Sequence, residues 1–176
     1  MNSTLLVNIS RFILLLAFQI IIFNNMNFLG YISPYPYILF IILYPVNGNK
    51  TALVVASFLL GLVMDMFNNS GGAHATACLV LAYFRPSLFK FAFGLSYEYQ
   101  TIKLNDVLTP ERFTFILLSV LIHHLTLFLL GTFQLTYILD TLTRTLLSTA
   151  FSIIICIIII YLIKPNKRRE KFYYLP

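Results

Sequence analysis

The residue with the strongest claim on chemistry is Asp65, a carboxylate near the end of an apolar run. A charge at the centre of a membrane helix costs about 2.5–3.5 kcal/mol on insertion scales, so a partner or an interfacial position has to account for it. Ser57 and Gly61 precede Asp65 at four-residue intervals, which sets all three on one helical face. Small residues at that spacing let helix backbones approach closely, so this face is turned to protein. In the last apolar run, Thr141, Arg144, Thr145, Ser148, Thr149 and Ser152 fall within one arc of about 140°. Arg144 therefore also faces inward, and Ile153 to Ile160 are expected to meet lipid. Asp65, Arg144 and His74 then share one level, and an Asp65–Arg144 ion pair with His74 nearby is the expectation. Asp140, four residues before Arg144, competes for the guanidinium. The plainer alternative is Asp65 hydrogen-bonded by the polar turn 68–72, which contains Gly72.

His123 and His124 are neighbours on one helix, so their side chains point about 100° apart and one metal ion does not take both. The reading is packing: one ring against a neighbouring helix, the other in a more crowded or lipid-exposed place. Cys78 and Cys156 stand in apolar runs at no zinc or redox spacing and read as small buried hydrophobes. No Gly-x-Ser-x-Gly elbow, His-Glu-x-x-His or Gly-rich phosphate loop occurs. No catalytic residue, metal ligand or cofactor site is therefore expected.

The elements that position these groups follow from composition. Of 176 residues, 59% are hydrophobic and 10% charged, where soluble domains carry about 25% charged residues. The fold class expected is all-α, a polytopic membrane bundle of six transmembrane helices forming one domain over 1–164. The spans are 5–23, 31–46, 51–67, 73–84 (or on through Pro86 to 94), 113–133 and 141–163, followed by a basic cytoplasmic tail, 165–176. The second segment carries Pro34, Pro36 and Pro45, and its uninterrupted core is too short to cross about 30 Å of hydrocarbon alone. It either begins earlier and tilts or is partly re-entrant. Thr109, Pro110 and Glu111 mark the start of the fifth helix, and Asp140 reads as the N-cap of the sixth. Arg11 interrupts the first run and no small-x-small site precedes Asn24, so no cleaved signal peptide is expected.

Six crossings put both termini on one side. Arg11, Lys50, Arg85, Lys90, Lys103, Arg112, Lys164 and the four cations of the tail would then lie inside, and the outer loops would hold none. That asymmetry predicts cytoplasmic termini. The net charge of +6 is thus read as a membrane anchor beside anionic lipid and not as a nucleic-acid surface. Between Arg85 and Arg112 lies the one charged internal segment, where Phe89, Phe91, Phe93, Tyr97 and Tyr99 suggest a strip in the interface.

Gly61-Leu62, Asp65, Gly72 with Ala73-His74-Ala75, and Ala82-Tyr83 resemble the core motif of MreD, the family of rod-shape-determining membrane proteins. The chain departs from that pattern at the polar turn Asn68-Asn69-Ser70, where an apolar or proline-containing linker is expected. The resemblance implies a non-enzymatic subunit of the bacterial elongation machinery in the cytoplasmic membrane. Its implied direct partner is MreC, a single-span protein. Through MreC it would reach the MreB filament, a SEDS glycosyltransferase and a class B penicillin-binding transpeptidase. The family is also similar in fold to the six-helix substrate-binding subunits of energy-coupling-factor vitamin transporters, which supplies the alternative function.

Overall fold

A computed structural model describes residues 3–26, 28, 32–94 and 108–163. Tyr97 and Tyr99 of the expected interfacial strip, and the basic tail, lie outside the described residues. The helices are α1 (Ser3–Ile21), α2 (Leu39–Ile42), α3 (Lys50–Asn68), α4 (Ala73–Phe93), α5 (Pro110–Thr132) and α6 (Ile138–Ile163), with single 3-10 turns at Phe23–Asn25, Pro36–Ile38 and Leu135–Tyr137. Among the described residues the only β pairing is an isolated bridge, Phe28 with Ile32.

Local chemistry sets most of these boundaries. The Asn49 side chain accepts the Ala52 N–H and caps α3, and the Thr109 side chain accepts the Arg112 N–H to cap α5, with Pro110 opening its first turn. α4 passes through Pro86 and ends at Phe93 against Gly94, so the longer of its two expected extents is the one adopted. α6 begins at Ile138, directly after the turn Leu135–Tyr137, so Asp140 stands in the first turn of the helix and is not its N-cap.

Among the described residues five helices are long and apolar enough to cross a membrane: Leu6–Asn25, Lys50–Asn68, Ala73–Phe93, Pro110–Thr132 and Ile138–Ile163. The second expected span differs from these. Only Pro36–Ile42 is helical there, seven residues or about 10 Å at 1.5 Å per residue. This short piece is the middle of the molecule, with every side chain from Pro36 to Leu43 buried. α3, α4, α5 and α6 pack in sequence around it, each on the next, while α1 closes the open side against the short helix and α3.

The outer surface is apolar. Ile13, Leu14, Val55, Leu139, Leu146 and Ile154 are among the exposed large side chains. On α6 the expected arc of Thr141, Thr145, Ser148, Thr149 and Ser152 is buried. The expectation that Ile153 to Ile160 meet lipid is corrected: Ile153, Cys156 and Ile160 extend the buried stripe, and Ile154 and Ile158 face out. The helical period of the buried stripe continues past Ser152, with α5 packed on α6 and the first turn of the short central helix against it.

Candidate functional site at the bundle centre

Asp65 is resolved by a helix end, not by a cation. One carboxylate oxygen accepts the Ser70 hydroxyl at 2.5 Å and the His74 N–H at 2.9 Å, and the other accepts the Ala75 N–H at 2.8 Å. α4 starts at Ala73, so these amides belong to the first four of the helix, which have no intrahelical acceptor and carry the positive end of its dipole. The anion thus sits where a helix best receives one.

Gly61 makes this geometry reachable. A Cβ there would come within 2.5 Å of the His74 carbonyl oxygen and the Ala75 Cα, so α3 lies against the α4 backbone with no room for a side chain. Gly72, at φ +96°, holds the left-handed backbone that leads into α4. The expected Asp65–Arg144 pair is not formed. Arg144 stands over the Phe128 ring, 4.8 Å from its centre, on the α5 side of α6. The polar-turn alternative, through Ser70, is the arrangement adopted.

The His74 ring points the other way, into the interior. Its Nδ1 lies 2.8 Å from the Tyr37 hydroxyl, which lies 2.8 Å from His123 Nε2. Cys78 Sγ stands 4.0 Å from that hydroxyl and 3.8 Å from His123 Nε2. A phenol has one proton, so it donates to one imidazole and accepts from the other, and the two ring tautomers are tied together. His123 Nδ1 is buried without a hydrogen-bond partner. A bare lone pair there costs less than a stranded N–H. His123 therefore donates through Nε2 to Tyr37, and Tyr37 donates to His74.

His124 has its own fixed tautomer. Its Nδ1 lies 2.8 Å from the Val120 carbonyl and must carry the proton. Nε2 then accepts from the Ser152 hydroxyl at 3.0 Å, and that hydroxyl accepts the Tyr35 N–H at 3.1 Å. Both histidines are fully buried, one toward α4 and the short helix, the other toward α6. Neither meets lipid, so of the two places open to the second ring the crowded one is adopted. Among the described residues no group of three or more His, Cys, Asp or Glu is placed to hold a metal ion.

The short central helix is fastened at both ends by side chains distant in sequence. At its N-terminal end Gln19 Nε2 donates to the Pro34 carbonyl at 3.2 Å and Gln19 Oε1 accepts the Tyr37 N–H at 3.5 Å. At its C-terminal end Arg11 donates to the Leu43 carbonyl at 2.9 Å, and Arg85 donates to the carbonyls of Ile42, at 3.4 Å, and Tyr44. These are the carbonyls a helix terminus leaves without partners, and guanidinium donors satisfy them. Arg85 also stacks on Phe89 at 4.7 Å.

By sequence alone Arg11 and Arg85 mark topology, and no motif singles out Gln19 or Tyr37 for these roles. A single amide side chain in the apolar stretch between Arg11 and Asn24 was the available signal for Gln19. Ser57 and Ser148, expected on inward faces, are fully buried, and their hydroxyls make no hydrogen bond among the described residues. They act as small residues at helix contacts. The arrangement as a whole satisfies backbone groups in an apolar interior and locks one short helix in place. No protein-family model, curated protein or solved structure matches the chain.

Proposed function

We propose that this chain is a non-enzymatic scaffold of the bacterial elongation machinery, an MreD-like subunit in the cytoplasmic membrane with both termini in the cytoplasm. It would gather the MreC transmembrane helix in the plane of the bilayer. Through MreC it would influence MreB, the SEDS glycosyltransferase and the class B transpeptidase. The observation that carries this reading is the meeting of the motif residues at one corner. Gly61 admits the α4 backbone, Asp65 caps it, Gly72 turns into it, and His74 reaches from it to the centre. A motif used in this way fixes how helices assemble and leaves the apolar outer faces for a helical partner.

The alternative, a vitamin-binding subunit of an energy-coupling-factor transporter, draws on the short helix, since transporter sites are often built at interrupted helices. Here the middle of the bundle is taken by the chain's own Tyr37 to Ile42, all within 3% of full burial, which favours a packed scaffold. Copurification from membranes tests the choice. MreC recovered with the full chain supports the scaffold. An ATPase pair recovered with a vitamin, and no MreC, overturns it.

A further inference from the structure

The start of α1 and the end of α6 line the two sides of one groove. It has a volume of about 600 Å³ and is lined by Leu6, Val7, Leu14, Phe18, Ile159 and Leu162, with Leu15 as its buried floor. Among the described residues one cation opens onto it, Arg11, about two turns into α1. Its one hydrogen bond runs inward from Nη1 to the Leu43 carbonyl, and no carboxylate among the described residues pairs with it. The guanidinium keeps further N–H donors for the groove, in surroundings where an unmatched charge is costly.

From this geometry we propose that the groove is a site for one anionic phospholipid, its phosphate on Arg11 and an acyl chain along Leu14, Leu15 and Phe18. The inference rests on the membrane reading of the chain but not on any role in elongation. Charge decides for this occupant over a neutral lipid. A guanidinium forks onto a phosphate with two parallel hydrogen bonds, and a net-anionic headgroup leaves the pair neutral. Apolar wall flanks the guanidinium on both sides, Leu6 and Val7 before it and Leu14, Leu15 and Phe18 after it, which gives an acyl chain a surface to lie on. The site has an internal consequence. The same side chain that would hold the phosphate caps the short central helix at Leu43, so an occupied groove would brace that helix from outside.

Native mass spectrometry of the full chain tests the site, after equilibration in mild detergent with equal amounts of phosphatidylglycerol and phosphatidylcholine of matched acyl chains. Wild type should retain phosphatidylglycerol roughly tenfold over phosphatidylcholine, the size of one charge-assisted hydrogen bond. Arg11→Gln should bring the ratio near one, and Arg11→Lys should keep most of it. Leu14→Trp alters only an exposed wall and should displace both lipids while leaving Arg11 in place, so it decides the matter if Arg11→Gln does not fold. Equal retention by wild type, a preference that survives Arg11→Gln, or a second protein held in the groove instead of lipid would each overturn the site. A carbonate wash separates the two levels: a chain that stays in the membrane without lipid preference loses only this site, and one that washes off loses the membrane reading too.

Discussion

At Asp65 the question is what a carboxylate does in an apolar wall, and the answer is geometric. Three donors reach its two oxygens, two of them helix-end amides. Asn at 65 keeps the shape but removes the charge and turns one acceptor into a donor facing an N–H. Asp65→Asn should therefore destabilise the chain by roughly 2–3 kcal/mol in chemical unfolding from mixed micelles. Because Arg144 stands elsewhere, the Asp65→Asn and Arg144→Gln effects should add, with a coupling below about 0.5 kcal/mol. A coupling above about 1 kcal/mol would restore the ion pair that the sequence suggested. Gly61 provides a second test of the same corner. In a free helix Gly→Ala gains about 1 kcal/mol, but here the new methyl would press on the backbone of His74 and Ala75. Gly61→Ala should cost about 1–3 kcal/mol, and a stabilised variant would show that the close approach does not exist.

The short central helix is too brief to be stable alone and stands because its ends are held. Gln19→Leu strands the Tyr37 N–H and the Pro34 carbonyl together, an expected loss of about 2–4 kcal/mol. Tyr37→Phe leaves two imidazole nitrogens facing a ring edge, an expected loss of about 1–3 kcal/mol. Leu162→Ala, on an exposed face, should change stability by less than about 0.5 kcal/mol and serves as the control. The same element marks where sequence reading stops. The start of α5 was legible because its chemistry is local, Thr109 acting within four residues of the boundary it sets, whereas the end of α4 stayed open between 84 and 94 and Asp140 marked the start of α6 too late. The second segment was legible as too short but not as central. Its fasteners, Gln19, Arg85 and Ser152, lie up to 117 positions from the groups they bind. Adjacent His123 and His124 announced two directions, but both are interior only because the short helix and α6 flank α5 on either side.

For the molecule as a whole, the path of that segment decides how often the chain crosses the membrane. Pro34 lies beside Gln19 and Leu43 beside Arg11, so the segment runs antiparallel to α1 over about two turns. Tyr44 then meets Arg85, and Lys50, opening α3, shares a cleft with Pro86 and Phe89 near the far end of α4. The chain thus passes from the Gln19 level to the opposite end of the bundle, one short helix long, with its polar backbone shielded by the surrounding helices. On the proposed topology this path would make a sixth passage beside the five long helices, which would agree with the start of α1 and the end of α6 lining one groove. Single cysteines report this directly, since native Cys78 and Cys156 are fully buried. Asn24→Cys and Asn69→Cys should react with a membrane-impermeant maleimide in intact cells, and Asn49→Cys only after the membrane is opened. The informative comparison is Asn24 with Asn49, because nothing but the short segment separates them. Labelling of both from the same side would turn that segment into a re-entrant loop and place the two ends of the chain on opposite faces.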